Sequence, residues 1–247
     1  MRRLLPFLSV LAACAAPVME QQEIRRFHPG SDQLAAVYSR WVMPDGSFVK
    51  DGDSRAWWED GSPKLESRYE MDQPVGPWLE WFDNGLLLRR GAYAHGSKQG
   101  EWCEFSEDGV LLERSHWKNG RLDGTFERFD DQGRLEMSGA FVRGNRDGEW
   151  SCFHPNGEIK LKGLYERGQP KGRWTAWFDS GELLGEGNYR GGLREGLWVR
   201  FDPHGEVLAK SKYSNDVASP SSAMNTGAAG SDPFDFARAV DDALAQD

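Results

Sequence analysis

Residues 148–172 read Gly148-Glu149-Trp150-Ser151-Cys152-Phe153-His154-Pro155-Asn156-Gly157-Glu158-Ile159-Lys160-Leu161-Lys162-Gly163-Leu164-Tyr165-Glu166-Arg167-Gly168-Gln169-Pro170-Lys171-Gly172, and at Gly172 the pattern begins again. The marker recurs every 24 residues, at Gly76, Gly100, Gly124, Gly148, Gly172 and Gly196, without an insertion or deletion. A fixed period in this range is the signature of a repeat architecture. Counting back from Gly76 reaches Gly52, where Ser54 replaces the expected tryptophan, so residues from Gly52 form a degenerate first unit.

The other columns keep register with the markers. Two places after them stand Trp78, Trp102, Phe126, Trp150, Trp174 and Trp198, and five places after them Trp81, Phe105, Phe129, Phe153, Trp177 and Phe201. A second glycine follows at nine (Gly85 to Gly205), an aliphatic at eleven (Leu87 to Val207) and an aromatic at seventeen (Tyr93 to Tyr213). Each unit therefore reads strand, turn, strand, turn. Asp83-Asn84-Gly85 and Pro155-Asn156-Gly157 suit a three-residue hairpin loop whose last residue takes positive φ, where glycine carries no steric penalty.

That loop places Phe153 opposite Ile159. Strict alternation would then put the tyrosine column on the same face as the aliphatic column and the tryptophan column on the other. Either both faces carry aromatic rows, or a bulge near the marker glycine turns the tryptophan inward. A lone hairpin is marginal in water, so neighbouring units must pair edge to edge. The expected fold is all-β: an elongated antiparallel sheet of consecutive β-hairpins, an open solenoid-like ribbon advancing about 10 Å per two-stranded unit.

Outside the repeats the chain changes character. Residues 1–13 have a basic start (Met1-Arg2-Arg3) and a short apolar run, which reads as a secretory signal too short to span a membrane. Leu11-Ala12-Ala13-Cys14 resembles the bacterial lipobox, which implies cleavage before Cys14, its lipidation, and an exported protein anchored to a membrane it does not cross. Residues 14–51 are either a tether or a divergent capping unit, since Phe27-His28-Pro29-Gly30 echoes Phe153-His154-Pro155-Asn156-Gly157. The hairpin array covers 52–216, about seven units, and residues 217–231 have the Ala/Ser/Gly/Pro composition of a linker. In the acidic segment 232–247, Phe236, Val240, Ala243 and Leu244 recur at helical spacing, as in a docking peptide or a loosely helical tail, the latter being favoured.

Composition narrows the function classes. A net charge of −9 argues against a nucleic-acid partner. Cys103 and Cys152 lie two units apart, beyond disulfide reach by strand spacing, so free thiols are expected. The five histidines lack metal-ligand spacing, and the carboxylates and serines vary between units, so the reading is no catalytic residue, no metal and no cofactor. The aromatic columns are the feature with binding potential. Their candidate surface is Trp78, Trp102, Trp150, Trp174 and Trp198, offered to a protein or, as the alternative, to an envelope glycan, amine or lipid through exposed aromatic rows, with a small-molecule ligand disfavoured.

The recurring Gly-any-Trp, Asp/Asn-any-Gly and Gly-any-Tyr elements, such as Gly163-Leu164-Tyr165, resemble the MORN-repeat variant family of bacteria, a set often labelled YwqK-like antitoxins. The resemblance covers Gly52 to Asp216 and implies hairpin arrays that mediate protein or lipid contacts, without catalytic residues; the label adds an immunity-type binder as an alternative. A lesser likeness to choline-binding cell-wall repeats rests on Trp81-Phe82 and Trp177-Phe178, and implies a glycan or amine binder; Phe105-Ser106 departs from it.

Overall fold

A computed structural model describes residues 19–218 together with Phe236 and Val240. Eighteen strands follow one another: β1 (Glu20–Phe27), β2 (Leu34–Val42), β3 (Phe48–Trp57), β4 (Pro63–Glu70), β5 (Gln73–Trp81), β6 (Leu87–Ala94), β7 (Ser97–Phe105), β8 (Leu111–Lys118), β9 (Arg121–Phe129), β10 (Leu135–Val142), β11 (Asn145–Arg146), β12 (Gly148–Phe153), β13 (Ile159–Glu166), β14 (Gln169–Trp177), β15 (Leu183–Arg190), β16 (Leu193–Phe201), β17 (Val207–Ser214) and β18 (Val217–Ala218). Each pairs antiparallel with its chain neighbour in one open sheet, β11 and β12 being two pieces of one strand that both lie on β10. The hairpin ribbon expected from the period is the fold observed. It begins before Gly52, because β1 and β2 form a further hairpin that pairs onto β3.

Two kinds of turn alternate. Within a unit, the Gly157 amide donates to the His154 carbonyl at 2.8 Å and Gly157 takes φ +86°, so the three-residue loop with a terminal positive-φ residue forms as expected. Between units the hairpins are two-residue turns with positive φ at both positions, as at Arg167 (+51°) and Gly168 (+82°), which matches the right-handed strand twist. Carboxylates just before the markers cap these turns: Asp147 Oδ2 accepts from the Arg167 amide at 3.0 Å, and Asp123 Oδ2 from the Arg143 amide at 3.3 Å. Loop side chains lace successive units, Asn156 Nδ2 donating to the Asp179 carbonyl and Asn84 Nδ2 to the Glu107 carbonyl at 2.6 and 2.7 Å.

The pairing of Phe153 with Ile159 is present, but the tyrosine column lies on the tryptophan face. This corrects the alternation argument. Cys152 pairs with Leu161 while Phe153 pairs with Ile159, so Lys160 is an extra residue and the strand changes parity there. Beyond the bulge, Gly163 faces Trp150 and Tyr165 faces Gly148. A second irregularity lies at the marker glycine: Lys162 pairs with Thr175 and Leu164 with Lys171, leaving Gly163 opposite Gly172, Arg173 and Trp174. The tryptophan ring folds into that opening. One face thus holds the tryptophan and tyrosine rows; by alternation the five-place aromatics and their aliphatic partners take the other.

Cross-strand ion pairs also decorate this second face, among them Arg68–Asp53 (3.0 Å), Arg114–Glu127 (3.0 Å) and Lys162–Glu149 (2.9 Å). All are substantially exposed, and such pairs contribute roughly 0–1 kcal/mol each. Packing must therefore come from the aromatic face, where rings meet edge to face along the array. Trp150–Tyr165, Tyr165–Trp174, Trp174–Tyr189 and Tyr189–Trp198 have centroid separations of 6.1, 5.2, 5.7 and 4.9 Å. Pairs of this geometry add about 0.5–1.5 kcal/mol beyond the area they bury.

Candidate functional site

The tryptophan row is not an open surface. Trp102, Trp150, Trp174 and Trp198 are each at most 1% exposed, and Trp78 is half-buried. Each of the four buried rings lies flat on a glycine of the preceding strand, Gly91, Gly139, Gly163 and Gly187 in turn; a Cβ at any of them would stand 1.9–2.2 Å from ring atoms. The Trp102 and Trp150 Nε1 groups donate to the Ala92 and Ala140 carbonyls at 3.1 Å, which fixes the ring orientation. The proposed contact role of these four residues is therefore corrected to packing, because a ring enclosed by glycine backbone and two tyrosine-column rings has no face left for a ligand.

Serine stands in this glycine column at Ser67, Ser115 and Ser211, and after the first two the next aromatic differs: Trp78 is half-buried and Phe126 replaces tryptophan. A full indole is not seated as deeply beside serine: Trp78 stays half-buried, and beside Ser115 a phenyl ring takes its place. This coupling between positions eleven residues apart is visible in the sequence once the contact is known.

Cations cover the aromatic column in every second unit. Lys50 sits 3.9 Å from the Tyr69 ring centroid, Lys98 4.5 Å from Trp117, Arg146 4.5 Å from Tyr165 and Arg194 4.2 Å from Tyr213. These four positions are 48 residues apart, a double period superposed on the single one. Burial depresses the Lys50 and Lys98 ammonium groups, with Asp72 and Glu104 respectively opposing the effect.

The row that alternates with the tryptophans on the same face changes along the ribbon. Successive cross-strand partners are Glu80, Arg89, Glu104, Glu113 and Arg128 in the first half, and Met137, Cys152, Leu161, Ala176 and Gly185 in the second. In the apolar half, burial pushes the Cys152 thiol up to about 11, with Lys160 opposing. Cys103 and Cys152 are free thiols, and by alternation they face opposite sides of the sheet, as expected.

Phe236 and Val240 complete this half. Both lie in helical backbone and are buried in the same core cluster as Leu161, Ala176 and Trp198. These two side chains pack on the sheet; the remaining residues of 232–247, Ala243 and Leu244 among them, lie outside the described residues, as do residues 1–13 and Cys14.

A separate cleft of about 680 Å³ opens at the loop edge of the N-terminal units, lined by His28, Trp58, Glu59, Asp60, Lys64, Asp83 and Asn84. The Lys64 ammonium stands 3.8 Å over the Trp58 ring, and the Trp58 Nε1 donates to the Trp81 carbonyl at 3.2 Å. Hydrogen bonds from Ser62 hold the Asp60 carboxyl below its usual range. Among the described residues, no group of three histidines, cysteines or carboxylates is placed to hold a metal ion.

The family model described as MORN repeat variant matches residues 98–119 and 146–167. Both windows start at one of the stacking cations, Lys98 and Arg146, and both end at the first positive-φ residue of an inter-unit turn, Asn119 and Arg167. No curated protein matches the chain. Among solved structures, the one described as the crystal structure of TcdB2-TccC3-TEV is similar at 10% identity over 78% of this chain, with a TM-score of 0.20; the chain spans 14% of that chain's length.

Proposed function

We propose that this protein, an array of hairpins that includes MORN repeat variant units, is a non-catalytic interaction scaffold of the cell envelope, exported and held to a membrane by a lipid on Cys14. The observation that carries this reading is the use of the aromatic columns: Trp102, Trp150, Trp174 and Trp198 are enclosed between units, and what remains for contact is a long sheet surface. Such surfaces suit an extended protein partner. The repeat family is one of non-catalytic protein- and membrane-interaction modules, which supports the same conclusion. The net charge of −9 favours a protein over a nucleic acid.

Photo-crosslinking of the full chain in intact envelopes tests the proposal. A saturable crosslink to a defined protein is the expected outcome; no protein above the level of an unrelated lipoprotein control would overturn it. The Trp58 cleft supports a second reading, a binder of glycans or amines, since an indole that already stacks on the Lys64 ammonium beside Glu59, Asp60 and Asp83 suits a ligand cation that takes the lysine's place. Saturable quenching of tryptophan fluorescence by choline or an envelope glycan, abolished in Trp58→Ala, would favour that reading.

A further inference from the structure

The array ends differently at its two sides. At the C-terminal side β18 lies on the outer edge of β17, pairing Tyr213 with Ala218 and Ser214 with Val217. At the N-terminal side β1 pairs with β2, and among the described residues no strand lies on its other edge. A bare edge presents a row of unpaired amides and carbonyls, which proteins usually guard with proline, lysine, a bulge or a very short strand. β1 runs for eight residues, Glu20-Gln21-Gln22-Glu23-Ile24-Arg25-Arg26-Phe27, without proline or lysine, and its one irregularity is confined to the Arg26–Phe27 end.

The side chains of this edge are self-complementary. When two copies of a strand pair antiparallel about a two-fold axis, the residue on the axis faces its own equivalent, and the residues before and after it face each other. With the axis at Ile24, Glu23 of each copy faces Arg25 of the other and Gln22 faces Arg26, each twice by symmetry. An axis at Glu23, Arg25 or Arg26 sets a like charge against itself, and one at Gln22 brings no opposite charges together. Glu23 and Arg25 pair within β1 at 2.8 Å, and both side chains are more than half exposed, so they stand at the surface where a second copy would meet them. Ile24 pairs with Tyr38 and Tyr38 with Ser54, so Ile24 ends a row of the aromatic face.

We propose that the outer edge of β1 docks a second copy of this chain, antiparallel and centred on Ile24, so that two arrays form one continuous sheet. A two-fold axis perpendicular to the sheet keeps both aromatic faces on the same side and carries the Ile24 row from one copy into the other. Main-chain hydrogen bonds supply the attraction, and the Glu23–Arg25 pairs fix the register. This pairing goes beyond the scaffold reading and does not depend on it.

Sedimentation of the full chain in detergent, over a concentration series, tests the pairing. The unaltered chain should form a reversible dimer. Glu23→Arg sets a guanidinium against Arg25 of the second copy, and Arg25→Glu sets a carboxylate against its Glu23. Each change should weaken dimerisation about tenfold or more while leaving the melting curve unchanged, since both sites are exposed. Mixing the two variants restores opposite charges at both positions, so the mixture should form a heterodimer within about threefold of the original affinity. A chain that stays monomeric throughout the series, single variants that dimerise as well as the unaltered chain, or a mixture that stays monomeric would each overturn the inference. The register has a separate readout: under mild oxidation Ile24→Cys should give a disulfide-linked dimer and Gln22→Cys should not, because only a residue on the axis comes within bridging distance of its equivalent. Equal linkage of the two would refute the axis at Ile24. A different protein captured in envelopes by the unaltered chain but lost in Glu23→Arg, with the chain itself monomeric, would assign this edge to a foreign strand and overturn the second-copy assignment.

Discussion

The Trp174 ring lies on the backbone of Gly163, so close that a methyl group on Gly163 would stand 2.1 Å from the ring atoms. Gly163 also faces Trp150 across the β12–β13 pair, so this one residue adjoins two units of the array. Gly163→Ala must displace a fully buried indole and should cost about 1–3 kcal/mol, the usual range for overpacking. The chain's own Ser115–Phe126 combination points to the compensation: Gly163→Ser with Trp174→Phe should lose less stability than the two single changes summed. Urea unfolding of the four proteins measures the coupling, and simple additivity would show that the contact is not the source of the glycine requirement.

Position along the array should grade the effect of one local lesion. Gly157 and Gly205 take φ +86° and +82°, and a Cβ at either would meet open space, so Gly→Val costs the same backbone strain at each, at least about 1–2 kcal/mol. An interior unit has two interfaces to lose and the terminal unit one. Gly157→Val should lower Tm more than Gly205→Val; equal melting of the two would speak against nearest-neighbour energetics.

Burial of Cys152 gives the fold a pH dependence in the alkaline range. The folded thiol titrates near 11, above the 9.0 of a free one, so the unfolded chain gives up its proton first. Stability contributed by this group is complete below about pH 9 and is lost as pH rises toward 11, on the order of 2–3 kcal/mol in all at 1.36 kcal/mol per pH unit. The difference in urea-unfolding free energy between the wild type and Cys152→Ala should shift by that amount between pH 8 and pH 11. A constant difference would mean that the thiol is not desolvated.

The anchor proposal has its own test. Cys14→Ser should move the protein from the membrane fraction to the soluble fraction of the envelope while leaving the melting curve of the purified array unchanged. Equal membrane partitioning of the two forms would remove the lipid from the proposed function.

The period, the strands and the positions of the turns were legible in the sequence because their causes are local. A residue such as Gly157 is required by the φ of its own loop, and the pairing of Phe153 with Ile159 follows from the length of that loop. Which face each column takes was not legible. The extra residue at Lys160 reverses strand parity after the loop, and nothing in its side chain announces a bulge that ladder hydrogen bonds create. The role of the tryptophans was hidden for a related reason: the flat seat on Gly163, Gly187 and their equivalents exists only once neighbouring strands are in register. Helical spacing alone identified Phe236 and Val240 as one apolar stripe, but whether such a stripe meets water, a partner or its own chain depends on long-range burial. The contacts of Phe236 with Gly185 and the Trp198 ring answer that question for these two side chains in tertiary structure, where residues tens of positions apart exclude water together.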